Sequence, residues 1–128
     1  MHLKGTNGLY RWSELYDDSY IYIQDLEKIR QFHPNGKVFQ CIDENLDYIT
    51  LKFGNDIFRV KPELYKVINK KVLPIGSVVK LKKYPDMDAI IIDNRWHGEK
   101  KEPMYFITLM GKKKSKRYFL EDFIVDEL

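Results

Sequence analysis

The chain reads as all-β, assembled from small antiparallel barrel units, and three observations carry that expectation. Nine Tyr and seven Phe stand among many Ile and Val, side chains that fit a pleated, half-buried surface. Apolar and polar residues alternate over short runs separated by turn residues, which is the period of a strand with one buried face. Two such runs also form a near-repeat about forty residues apart. Pro34-Asn-Gly-Lys-Val38 returns as Pro74-Ile-Gly-Ser-Val78, and Asp47-Tyr-Ile-Thr-Leu51 returns as Asp88-Ala-Ile-Ile-Ile92.

The elements follow in order. Gly8–Trp12 alternates and predicts a first strand, Asp17–Ser19 a turn, and Tyr20–Ile23 renewed strand. A helical turn fits Gln24–Glu27. Lys28–Phe32 and Lys37–Cys41 flank Pro34-Asn35-Gly36 and predict a hairpin, because Asn-Gly supplies the two φ > 0 positions of a type I′ turn. Turns at Asp43–Asn45 and Gly54–Asp56 bracket strands Tyr48–Phe53 and Ile57–Val60. Lys61–Ile68 predicts a short helix, since Pro62 suits a first helical position and Glu63 a first turn. Strand Ser77–Lys82, a turn at Tyr84–Asp86 and strand Ala89–Ile92 come next, then a polar excursion over Asp93–Pro103. Met104–Leu109 is a strand, Gly111–Arg117 a basic loop, Tyr118–Leu120 a strand and Glu121–Val125 an acidic-apolar tail.

At 128 residues with 44% hydrophobic content, the chain suits one compact domain or two very small ones. A formal charge of +3 is too mild to argue for a polyanionic partner by itself. Cys41 is the sole cysteine, which excludes an intramolecular disulfide, and its strand setting predicts a small buried thiol. The N-terminus lacks the apolar core of a secretory signal. No run approaches the roughly 18–20 apolar residues that a spanning helix needs, so a soluble, cytoplasmic protein without membrane partners is expected.

The repeat and the break near Pro62–Lys71 favour two fused units, 1–71 and 72–128, each a Src-homology-3-like small barrel, the first preceded by an N-terminal hairpin. The alternative is a single up-and-down β-barrel. Leu73-Pro-Ile-Gly-Ser-Val-Val-Lys-Leu-Lys82 resembles the opening of a domain family of unknown function from low-GC Gram-positive bacteria. The likeness runs through Ala89–Ile92 to Phe119–Val125, so it covers residues 72–125. Members are often encoded beside type VII secretion genes and their toxin substrates, which implies an accessory or adaptor role. This chain departs from that pattern at Tyr105–Leu109 and the Lys-rich loop. Gly-x-x-Val-x-Leu also opens many unrelated small barrels.

Motifs for chemistry are sparse. His2, His33 and His97 are scattered and no Cys-x-x-Cys is present, so no metal or other cofactor is expected. No Gly-x-Ser-x-Gly elbow or phosphate-cradling glycine loop occurs. The paired carboxylates sit at turn positions that Asp favours anyway. A non-enzymatic protein is the expectation, with no catalytic residues.

Two sets of residues point to binding. Arg95, Trp96 and His97, with Lys100 and Lys101, lie in the polar excursion, and Trp and Arg are over-represented at interface hot spots. They are the expected contact with another protein. Lys112, Lys113, Lys114, Lys116 and Arg117 form a basic run that, beside Trp96 and Tyr105, suits single-stranded nucleic acid through stacking and phosphate pairing. The expected function is therefore adaptor-like protein binding. Nucleic-acid binding and a small-molecule carrier barrel are the alternatives.

Overall fold

Strand β1 (Asn7–Tyr10) is paired on both sides, to β2 (Val38–Glu44) and to β5 (Tyr65–Ile68). With β3 (Ile49–Phe53) and β4 (Asp56–Val60) it completes an antiparallel sheet of order β4-β3-β2-β1-β5. A second sheet holds β6 (Val78–Leu81), β7 (Tyr84–His97), β8 (Glu102–Leu109), β9 (Lys112–Lys113) and β10 (Phe123–Ile124), in the order β10-β6-β7-β8-β9. The computed structural model describes residues 2–125. The sheets belong to two compact units, Met1–Lys70 and Lys71–Leu128.

The all-β class holds, with one short helix, α1 (Leu26–Phe32). Neither sheet closes into a barrel: each ends in two strands that do not pair with one another. Two open sheets also replace the single up-and-down barrel. Each has its own core, built by alternation. Ile49, Leu51 and Phe53 face inward on β3, and Ala89, Ile91, Tyr105, Ile107 and Phe123 pack together in the second unit.

Several local expectations give way to tertiary contacts. The predicted Lys28–Phe32 strand is the helix α1, because Leu26 and Ile29 are buried and Phe32 meets Phe39, Phe53 and Phe58 with ring centroids 5.0–5.8 Å apart. His33 ends the helix in the left-handed region at φ 58°. Pro34–Lys37 is then a turn whose only positive φ is at Gly36, the requirement of a type II rather than a type I′ turn. Tyr20–Ile23 joins two 3-10 turns, Asp18–Tyr20 and Ile23–Asp25, and keeps a single bridge, Ile21 to Val60. The predicted helix at Lys61–Ile68 lasts one 3-10 turn (Pro62–Leu64) before β5 pairs with β1. The turn expected at Tyr84–Asp86 falls instead at Lys82-Lys83. The polar excursion is a hairpin arm in which Trp96 faces Pro103 and His97 faces Glu102.

The two units repeat one plan. Leu3–Thr6 and Pro74–Ser77 are matching turns, with Gly5 and Gly76 both at φ 89°. The Thr6 and Ser77 hydroxyls each donate to the carbonyl three residues back, at 2.6 Å. Gly5 N–H donates to Cys41 and Gly76 N–H to Ile91, while the Cys41 and Ile91 N–H groups donate back to Thr6 and Ser77. Cys41 faces Leu51 and Ile91 faces Ile107. Both second strands bulge one residue later, before Asp43 and Asp93. Two residues before Leu51 and Ile107, Ile49 pairs Val60 and Tyr105 pairs Tyr118. A 3-10 turn precedes the fifth strand in each unit. Val60 therefore corresponds to Tyr118, and Arg59 to Arg117. This correspondence is not the near-repeat in the sequence, which aligns the second strand of one unit (from Val38) with the first strand of the other (from Val78).

The units differ in the link between their first two strands. In the second unit it is the two-residue turn Lys82-Lys83. In the first it is residues 11–37, and it folds back on β4: Tyr22 N–H donates to Arg59 C=O at 3.0 Å, and Lys61 N–H donates to Tyr20 C=O at 2.7 Å. Buried Asp25 fastens it by accepting from the Arg59 backbone N–H and Nε, each at 2.9 Å, and from Nη2 at 3.2 Å. Burial alone would raise the Asp25 carboxyl pKa, but the Arg59 contacts outweigh it and leave the group below its usual range. Asp25→Ala is expected to cost about 1–3 kcal/mol, discounted because Arg59 is partly exposed. A carboxyl held low when folded contributes above its unfolded pKa of about 4 and loses that contribution as pH falls further. Urea denaturation of both proteins is therefore expected to show a gap that is full at pH 7 and narrows below about pH 4.

Candidate binding cleft of the second unit

The short Lys82-Lys83 turn leaves space beside Tyr118. A cleft of about 420 Å³ opens there, walled by Lys82, Lys83 and Tyr84 from the β6–β7 turn and by Lys114, Lys116 and Tyr118 from the segment after β9. Lys83 Nζ stands 5.7 Å from the Tyr84 ring centroid and Lys116 Nζ 5.3 Å from that of Tyr118. Burial, then the nearby Tyr84 and Asp122, raise the Tyr118 hydroxyl pKa, so the phenol stays neutral and able to donate.

Glu121 and Asp122 also border the cleft, but both are engaged elsewhere. Asp122 Oδ2 accepts from the Phe119 N–H at 2.8 Å, and Glu121 lies 3.7 Å from Lys100 Nζ. None of Lys82, Lys83, Lys114 and Lys116 has a carboxylate within 4.0 Å among the described residues. The cleft thus presents four ammonium groups and two phenol rings to solvent. That combination favours an anionic ligand with flat or aromatic parts.

The residues singled out in the sequence fall in two places. Lys114 and Lys116 line the cleft; Lys112 and Lys113 are exposed on β9 opposite Leu109 and Thr108; Arg117 is exposed between Lys116 and Tyr118. The others lie along the hairpin arm. Arg95 is exposed opposite Met104, and Trp96 is half-buried. His97 Nδ1 accepts the Lys100 N–H at 3.0 Å, and its ring meets Phe119 edge-on. Lys100 Nζ sits 3.8 Å over the Phe119 ring, and Lys101 turns the chain at φ 55°. His97 and Lys100 thus pin the tip of the arm to the turn around Phe119 rather than joining the basic loop. Tyr105 offers no stacking face: it is fully buried, with its hydroxyl accepting the Leu73 N–H at 3.0 Å.

Sequence reasoning missed Lys82, Lys83, Tyr84 and the cleft position of Tyr118. A signal was present, since Lys82-Lys83-Tyr84 and Lys116-Arg117-Tyr118 share a basic-basic-tyrosine pattern. Among the described residues no three His, Cys, Asp or Glu side chains gather closely enough to hold a metal, and no helix is long and apolar enough to cross a membrane.

Cys41 lies in the first core, fully buried, and burial raises its thiol pKa. Iodoacetamide at pH 7.5 is expected to leave Cys41 unmodified in the native protein and to alkylate it fully in urea, read by intact mass. Rapid native alkylation would show a first unit that opens readily.

A sequence model for one protein family, described as a family of unknown function, matches residues 1–124. The match spans both units, whereas the resemblance drawn from Leu73–Lys82 reached only residues 72–125, and its description makes no reference to secretion. No curated protein and no solved structure matches the chain.

Proposed function

The chain belongs to DUF6960, a family of unknown function, and we propose that it is a non-enzymatic binding protein whose second unit holds a segment of another protein. One observation carries this reading: a cleft formed by two separate basic-tyrosine segments, with lysines that have no carboxylate partners among the described residues. A linear acidic segment would supply carboxylates to Lys82, Lys83, Lys114 and Lys116 and rest side chains on Tyr84 and Tyr118. The end strands of the open sheets add edges to which an extended chain can pair. The shared strand order, with a 3-10 turn before each fifth strand, supports the Src-homology-3-like reading of both units. The exposed Arg95 and half-buried Trp96 on the hairpin arm supply a second contact area.

The accessory role beside a type VII secretion system belongs to this proposal as its most specific form, with a secreted toxin as partner and the bacterial cytoplasm as the place of binding. A second reading, single-stranded nucleic acid, draws on the Lys83–Tyr84 and Lys116–Tyr118 pairs. The carrier reading called for one barrel with an enclosed apolar cavity, and the two open sheets lend it no support.

The test is a tagged pull-down with nuclease treatment, comparing wild type with Lys82→Glu/Lys83→Glu/Lys114→Glu/Lys116→Glu. The expected result is a stoichiometric protein that survives nuclease and is lost from the variant, while the variant's circular dichroism is unchanged. A partner retained by the variant would remove the cleft from the proposal. Binding abolished by nuclease, with log affinity falling against log salt at a slope near −3 for about four phosphate contacts, would replace protein by nucleic acid.

A further inference from the structure

The first unit already holds a segment where the second is open. Val60 and Tyr118 occupy equivalent positions, each pairing with the third strand of its unit. In the first unit the outer side of that position is covered by Tyr20–Tyr22, whose backbone bonds Arg59 and Lys61 and whose Ile21 is 3% exposed. Arg59 is held by two groups of the same segment. The Tyr22 ring lies 4.0 Å from its guanidinium carbon, and the Asp25 carboxylate accepts two of its N–H groups.

Arg117 stands at the corresponding place in the second unit. It is exposed, has no ion pair, and its backbone N–H and C=O have no hydrogen-bond partner among the described residues. Lys114 and Lys116 flank it, and Lys82 and Lys83 stand across the cleft. The Phe119 N–H is already taken by Asp122, so an added strand gains the Arg117 backbone bond but not the second one found in the first unit. Side chains must supply the remainder.

We propose that the Arg117–Phe119 edge and the adjoining cleft bind an extended, acidic, tyrosine-bearing segment of a partner protein, as the first unit binds its own residues Tyr20–Asp25. The inference rests on the protein-binding reading and specifies the ligand chemistry. An aromatic residue stacks on Arg117, a carboxylate three residues later pairs with the guanidinium, and further acidic residues reach the lysines. The first unit's segment has this composition, with Asp17 and Asp18 ahead of Tyr20-Ile21-Tyr22 and Asp25 behind. A polycationic cleft disfavours a neutral or basic segment of the same shape.

The test uses the full chain and a fluorescein-labelled peptide of its own residues 16–26, followed by anisotropy. Saturable binding is expected in the range of about 10–100 μM, weakened at least roughly tenfold by Lys116→Glu/Arg117→Glu and by Asn at the three Asp positions of the peptide. Amide chemical-shift changes are expected at residues 82–84 and 114–119. Changes confined to residues 38–68 would mean that the peptide displaces the first unit's own segment, and would overturn the assignment. Binding unaffected by the two substitutions, or none up to about 1 mM, would also overturn it. If the pull-down partner is nevertheless kept by wild type and lost from the four-lysine variant, the ligand chemistry is wrong and the protein-binding reading stands. A twelve-residue oligo-dT that binds the cleft while the peptide does not defeats both.

Discussion

Each unit depends on the way its first strand is entered. A glycine at φ 89° turns the chain so that its N–H and the next residue's carbonyl meet one residue of the second strand, Cys41 or Ile91. That reciprocal pair sets the register of the first strand against the second, and the bulge one residue later bends the second strand over the core. Once the first strand is placed, the fifth can pair on its other side, with Tyr10 facing Tyr65 and Leu81 facing Phe123. Glycine is the residue for that corner because a Cβ at such a φ is strained.

The same plan executed twice leads to different surfaces because the first connection differs in length. Residues 11–37 give the first unit a helix, an aromatic cluster around Phe32 and a strand-like segment that covers the fourth strand. The second unit closes the same gap with two lysines and leaves a cleft. The long link orders many residues, a cost in conformational entropy offset by burying Trp12, Ile21, Leu26 and Ile29. The second unit has no such cover, and Lys82, Lys83 and Lys116 stand exposed around its cleft.

Charge is distributed in keeping with this difference. In the first unit Arg59 has a buried carboxylate and a tyrosine ring from its own chain. In the second, Lys100 takes Glu121 and Phe119, and Asp122 caps a backbone N–H, so nearby acids are used to hold the hairpin arm and the 3-10 turn. The basic residues of the cleft keep their charge in contact with solvent. Exposed cations without partners add little to stability but set the sign of what approaches.

Much of the architecture was legible in local pattern. Alternation placed strands at Gly8–Trp12, Tyr48–Phe53 and Met104–Leu109, and the aromatic and β-branched content set the class, because a half-buried pleated surface imposes a period of two on any sequence that forms it. Local pattern misread Lys28–Phe32, where a spacing of three competed with an attractive Asn-Gly turn, and the burial of Leu26, Ile29 and Phe32 in a core assembled from distant strands decided for the helix. It misaligned the repeat as well, since a Pro-x-Gly turn before a strand looks alike whichever strand follows. Half of the basic cleft was visible as Lys114–Arg117, whereas Lys82, Lys83 and Tyr84 were not. By itself, then, the sequence determined the β class, most of the strands and the basic run, all written in adjacent residues. The helix, the true correspondence between the units and the joining of two basic segments around one cleft were decided by tertiary structure, because each depends on hydrogen bonds and packing between residues far apart in the chain.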